Sequence, residues 1–217
     1  MTDKPTLAIF DFCGTLINMQ TADPFVRGLS KSCYSIRRGA LELARKALRK
    51  AGMLRGGGNK TFILRQIAGI EVKSAMEFSA KFLNTTLLPN ENATVVKKID
   101  WHKKRGDEVV IVSAGYECYI GLWAKHHGID KIAATRLEQN NGILTGRILN
   151  KDCLGTEKVR RLSELLQLSS FDLPNSYVYT DSISDAPLLE LVGNKVVIDS
   201  GQDVKWSKEM GCEILPV

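Results

Sequence analysis

The 217-residue sequence predicts an α/β fold: a parallel sheet with helices on both faces, and a helical cap inserted after the first strand. Three observations lead there. From residue 92 onward, short apolar runs bounded by turn signals alternate with helical patterns, the grammar of a parallel sheet covered on both faces. Between Ile17 and Pro89 the pattern is helical and carries no strand signal. Three of the apolar runs stop at residues that carry chemistry: Asp11, Ser113 and Asp181.

Each element has its own signature. Leu7-Ala8-Ile9-Phe10 is a short apolar run that stops at Asp11, as a buried parallel strand does. Cys13-Gly14-Thr15 follows as a glycine-containing turn. The chain is then polar through Asn18, Gln20, Thr21 and Asp23, and Pro24 can open a helix at its first turn. From Ser35 to Ala51, Ile36, Ala40, Leu43, Ala44, Ala47 and Leu48 share one helical face, while Arg37, Arg38, Arg45, Lys46, Arg49 and Lys50 lie mostly opposite. Gly56-Gly57-Gly58 breaks that helix. It lacks the lysine and Ser/Thr of a phosphate-binding P-loop, so it reads as a connection. A second helical region spans roughly Thr61 to Leu88, closed by Pro89.

A helix from about Asn92 to Lys104 meets Gly106, and Val109–Val112 reads as a buried strand. Ser113-Ala114-Gly115 reads as a turn, with a helix from Glu117 to His127 after it. Ile132 to Leu137 is a third strand, and Asn140-Asn141-Gly142 is a hairpin signal. A helix over Thr156–Leu168 leads to a fourth strand, Tyr177–Thr180, ending at Asp181. A helix over Ala186–Leu191 and a fifth strand, Val196–Ile198, complete the pattern. The first strand must join this sheet, which gives a Rossmann-like core of residues 1–17 and 90–217 and a cap of residues 18–89.

Composition narrows the function classes. Hydrophobic content of 44% and charged content of 25% suit a soluble globular protein. No run approaches the roughly 18 apolar residues of a membrane span, and the first apolar stretch belongs to a strand, so no leader is expected. The five cysteines are scattered and form no C-x-x-C pair, which argues against a disulfide framework or zinc site and favours the cytoplasm. His102, His126 and His127 lack metal-ligand spacing and read as surface residues. Between Arg27 and Arg65 eleven Lys/Arg face a single acid, Glu42, so the basicity belongs to one segment. That segment lacks interleaved aromatics for base stacking, which counts against nucleic acid as a partner.

In a parallel sheet the C-terminal strand ends lie along one edge, where ligands bind. Asp11, Ser113 and Asp181 can therefore converge. Two carboxylates suit a hard cation such as Mg²⁺, which takes oxygen ligands from one or two carboxylates plus substrate phosphate. A serine followed by small residues and a helix N-terminus suits an anionic oxygen. Lys158, in the first turn of its helix, can supply positive charge to a phosphoryl group.

Asp11-x-Cys13-Gly14-Thr15-Leu16, then Ser113, then Lys158, then Asp181-Ser182-Ile183-Ser184-Asp185 resembles the haloacid dehalogenase-like hydrolase superfamily, with all four motifs in order. Arg136-Leu137-Glu138, Gly142-Ile143-Leu144-Thr145-Gly146 and Gly155-Thr156-Glu157-Lys158 further resemble its phosphoserine-phosphatase-like branch, as does a helical insert after the first motif. The resemblance implies that Asp11 is the nucleophile and forms an aspartyl-phosphate. It implies that Ser113, the backbone of Ala114 and Lys158 hold phosphoryl oxygens. Asp11 and Asp181 would bind Mg²⁺, and Asp185 would orient the metal or Lys158.

Two positions depart from that pattern. Cys13 stands where these phosphatases carry an acid–base Asp, although its backbone carbonyl can still serve the metal. Gln20 stands where the phosphoserine enzymes carry a Glu that faces the substrate ammonium, which counts against phosphoserine. The expected function is a Mg²⁺-dependent phosphomonoester hydrolase of phosphorylated small molecules, lipid- or sugar-linked ones included, slowed by Cys13. The alternatives are a degenerate member that binds phosphorylated ligands without efficient turnover, and a module whose basic segment grips an anionic surface. Oligomeric state is not readable from the sequence.

Overall fold

The computed structural model describes residues 4–33, 59–199, 201 and 204–217. The helix expected over Ser35–Ala51, its basic face and the triple glycine lie outside the described residues. Six parallel strands form the main sheet in the order β3-β2-β1-β6-β7-β8. They are β1 (Leu7–Phe10), β2 (Glu108–Tyr116), β3 (Lys131–Thr135), β6 (Tyr177–Thr180), β7 (Asn194–Asp199) and β8 (Glu213–Pro216). An antiparallel hairpin joins β4 (Leu137–Asn140) to β5 (Ile143–Ile148). The helices are α1 (Ala22–Ser32), α2 (Asn59–Leu64), α3 (Val72–Phe82), α4 (Ala93–Arg105), α5 (Glu117–His126), α6 (Thr156–Leu165), α7 (Ala186–Leu189) and α8 (Lys205–Glu209). None of the described helices is long and apolar enough to cross a membrane.

β1 is apolar throughout because it is covered on both faces. Ala8 and Phe10 join a cluster with Ile99 of α4 and Trp123 of α5. Leu7 and Ile9 join another with Leu162 of α6 and Leu188 and Leu189 of α7. All four β1 residues are fully buried, and at roughly 25 cal/mol per Å² such burial supplies the main driving force for assembly.

α4 shows how local chemistry sets an element. Asn92 caps it by accepting the Val95 N–H, and Gly106, at φ 81°, ends it in the left-handed conformation that glycine adopts without strain. Its buried face is Val95, Ile99 and His102. His102 was expected on the surface. It is instead fully buried, because its ring nitrogens meet Asp107 Oδ2 at 2.6 Å and the Tyr179 hydroxyl at 3.0 Å. His127 is half-buried against Glu91 Oε1 at 2.6 Å, and His126 alone of the three is exposed.

Burial pushes the His102 pKa below its ordinary value, against the opposing pull of Asp107. The folded protein therefore keeps the ring neutral where the unfolded chain takes up a proton. That contribution is full above the unfolded value near 6.5 and is lost as pH falls through it. Between about pH 7 and 5, wild-type stability should decline more steeply than that of His102→Asn, by at most about 1.4 kcal/mol per pH unit. Urea unfolding at both pH values measures this, and parallel slopes for the two proteins would dismiss it. The depressed Asp107 carboxyl acts below this window, near its ordinary value of 3.8.

Several sequence expectations change. Ser113-Ala114-Gly115 is not a turn but the end of β2, with a register shift between Ser113 and Tyr116 that re-aims the chain. The run read as one strand over Ile132–Leu137 splits at Arg136 into β3 and β4. The helical region over Thr61–Leu88 is broken at Gly69, whose φ is 78°. There the Gly69 N–H donates to the Leu144 carbonyl, the Leu144 N–H to Ile70, and the Val72 N–H to Gly142. The segment thus borrows a short sheet pairing from the hairpin, including a Glu71–Ile143 bridge. β8 and α8 were not anticipated at all.

Candidate active site

The site is built on consecutive strand ends. The Asp11 N–H, one residue past β1, donates to the Tyr179 carbonyl of β6 at 2.9 Å, which fixes that aspartate between the two strands. The chain then closes a tight loop: Gly14 N–H donates to Ile17 and Ile17 N–H to Phe12. Gly14 has φ +79°, and a Cβ there would fall 2.0 Å from Asp181 Oδ2. Only glycine lets this loop lie against the Asp181 carboxylate, which also accepts a hydrogen bond from Thr15 at 3.4 Å.

Lys158 enters from the first turn of α6 and is 2% exposed. Its Nζ is 3.0 Å from Asp11 Oδ1 and 2.7 Å from either oxygen of Asp185. Asp185 is fully buried and is held a second time by the Thr180 hydroxyl at 2.7 Å. Burial alone would drive the Lys158 ammonium toward neutrality, but Asp11 and Asp185 outweigh it and hold the pKa well above the ordinary lysine range. Burial, then the charge of Asp11, pushes the Asp185 pKa up, with Lys158 opposing.

Asp11, Cys13, Gln20, Ser113, Ala114, Lys158 and Asp181 line one cavity of about 400 Å³. Seven of the eight residues singled out in the sequence therefore face a common space, and the eighth, Asp185, stands behind Lys158. Ser113 Oγ accepts the Gly115 N–H at 3.1 Å, which leaves the hydroxyl hydrogen to donate elsewhere. Cys13 turns its sulfur toward the Thr21 hydroxyl, 2.9 Å away, and that hydroxyl lies 2.7 Å from the Tyr119 hydroxyl. Burial first, then the neighbouring Asp11 charge, pushes the Cys13 thiol up to about 11, so it is neutral at physiological pH.

Among the described residues no group of three or more His, Cys, Asp or Glu is arranged to hold a metal. A hard cation does not need one. Asp11 and Asp181 offer two carboxylates to the same cavity, and the backbone between them packs against Asp181 only because residue 14 is glycine. An all-oxygen donor set of this kind fits Mg²⁺, which keeps waters and takes substrate oxygens as further ligands.

Sequence reasoning missed Lys60, Thr21, Tyr119 and Asp23. Lys60 and Asp23 line the cavity, Thr21 engages Cys13, and Tyr119 holds Thr21. Nothing in the pattern separated Lys60 from ten other basic residues nearby. A larger groove, about 640 Å³, lies between α3, α5 and the hairpin, but its charged walls, Glu117 and Arg136, are already paired at 2.6 Å.

The family model of the haloacid dehalogenase-like hydrolases matches residues 8–190. A Mycobacterium tuberculosis relative named a probable phosphatase is 30% identical over 146 residues, 67% of this chain and 50% of its own length, so the match spans half of that relative. A histidinol-phosphatase of Neisseria meningitidis is 27% identical over 222 residues, covering 96% of this chain and 97% of its own. A solved phospho-aspartyl intermediate analogue of phosphoserine phosphatase superposes with a TM-score of 0.67 at 20% identity, over 99% of this chain and 94% of that one, which shows a shared fold.

Proposed function

Since the chain belongs to the haloacid dehalogenase-like hydrolase family, on its phosphoserine-phosphatase-like branch, we propose that it is a Mg²⁺-dependent phosphomonoester hydrolase working through an aspartyl-phosphate on Asp11. The observation that carries this reading is the Asp11–Lys158–Asp185 cluster opening on the cavity that Ser113 and Asp181 share. Residues 1–17 and 90–217 form the catalytic core in this proposal, and residues 18–89 the cap over it.

With Oδ1 paired to Lys158, attack on phosphorus falls to the other Asp11 oxygen. The new O–P bond forms as the ester O–P bond breaks, and the leaving oxygen takes up a proton from solvent, which the water of the second step returns. Ser113, with its hydroxyl hydrogen free, and the Lys158 ammonium hold the phosphoryl oxygens. Water then cleaves the aspartyl-phosphate to release inorganic phosphate and restore Asp11. Asp185 keeps Lys158 charged and in place. Asp11, Asp181 and the Cys13 carbonyl are the groups that would hold Mg²⁺, which when bound neutralises charge on the transferring group. Positioning and charge neutralisation carry most of such a transfer.

The engaged, neutral thiol of Cys13 favours slow turnover. Gln20 offers a neutral amide to the cavity, which weighs against a substrate ammonium there. A panel of phosphate esters tests the reading, with histidinol phosphate, phosphoserine, sugar phosphates and lipid phosphates among its members. Hydrolysis of at least one ester should appear with Mg²⁺, vanish with EDTA and return when Mg²⁺ is restored. A panel left untouched under all three conditions sinks the hydrolase reading.

A further inference from the structure

Lys60 belongs to α2, in the proposed cap, yet its ammonium engages groups of the core. Its Nζ lies 2.7 Å from the Ala114 carbonyl and 2.7 Å from both oxygens of Asp152, and 5.4 Å over the Tyr116 ring. An ammonium has three hydrogens to donate, and three acceptors stand within reach. Asp152 is itself anchored by the Thr135 hydroxyl at 2.6 Å, whose oxygen accepts the Cys153 N–H at 3.0 Å. The ammonium thus joins the end of β2 to the loop that precedes α6 and Lys158.

The Ala114 carbonyl and the Gly115 N–H belong to one peptide plane. One end of that plane is held by Lys60, and the other donates to Ser113 Oγ. Accepting a charge-assisted hydrogen bond polarises the peptide and strengthens what its N–H donates. We propose that Lys60 is a positioning residue: by clamping the 114–115 peptide and Asp152, it fixes the Ser113 hydroxyl in the orientation that donates to a phosphoryl oxygen. This rests on the phosphatase reading for the phosphoryl group, and on the geometry alone for the clamp. Lys60 acts through Ser113, so its loss and the loss of Ser113 remove the same thing.

The test uses the full chain with Lys60→Met, Lys60→Arg, Ser113→Ala and the Lys60→Met/Ser113→Ala double variant. Inorganic phosphate is the probe, titrated in Mg²⁺. Lys60→Met should weaken phosphate binding and lower kcat by roughly ten- to a hundredfold, the scale of a misplaced positioning contact. Lys60→Arg, which can bridge the same acceptors, should restore most of the loss. In the Ser113→Ala background Lys60→Met should add little, since groups acting as a unit are not additive. Independently of any ligand, backbone amide exchange across residues 113–117 and 150–155 should quicken in Lys60→Met and not in Lys60→Arg. Unchanged exchange overturns the clamp, and fully additive losses overturn action through Ser113. A wild-type protein that binds phosphate beside an equally competent Lys60→Met variant overturns the role of Lys60 alone. A wild type that binds no phosphate overturns the phosphatase reading and this role with it.

Discussion

Asp11→Asn should abolish hydrolysis, by more than about a thousandfold, while leaving the fold intact. Loss of a covalent nucleophile typically costs that much or more because no other group occupies its place. The amide keeps the shape of the carboxylate and its backbone N–H still bonds to Tyr179. What goes is one negative charge beside Lys158, whose ammonium retains Asp185 at 2.7 Å. The variant should therefore melt near the wild-type temperature and still bind phosphate. Steady-state rates together with thermal unfolding separate the two effects. An Asn variant that turns over at the wild-type rate would show that Asp11 is not the nucleophile.

Cys13→Asp should raise the rate by an order of magnitude or more, and more for an alkyl than for an aryl phosphate. General acid–base catalysis contributes typically about 10²–10⁴-fold. A thiol held near 11 and turned toward Thr21 gives up a proton reluctantly and accepts one no better. A carboxyl group can do both, protonating the leaving oxygen and later activating water. Nitrophenolate leaves without much help, so an aryl ester should gain least at the first step. In the wild type the aspartyl-phosphate should break down slowly, and acid quenching should trap phosphate on the protein. Rates for the Asp variant equal to or below wild type would mean that another cavity group or water already serves. Asp23, which lines the cavity, is the first candidate.

Legibility in the sequence followed burial. β1, β2 and β6 are covered on both faces, so their runs are continuously apolar and stand out. β8 reads Glu-Ile-Leu-Pro, exposed at both ends at the sheet edge, where composition carries little signal. The residues at strand ends could be found because a strand must stop somewhere polar. That Asp185 would clasp Lys158 from 27 residues away in the chain needed the family resemblance. His102 occupies an apolar helical position, three residues after Ile99, and that spacing was the available clue to its burial. Lys60 left no trace, since its partners are a backbone carbonyl and an aspartate distant in sequence.

The pairing of β1 also dictates a timetable. Its neighbours on either side are residues 108–111 and 177–179, so no partner exists when it leaves the ribosome. At roughly 5–20 residues per second, β1 waits several seconds for β2 and longer again for β6. During that interval its four apolar residues have neither a ladder nor a core, which makes this segment the natural target for a chaperone in the nascent chain. Asp11, translated long before either strand that flanks it, is thus among the last residues to be set in place, and chains that terminate before residue 180 should emerge without the Asp11–Lys158–Asp185 cluster.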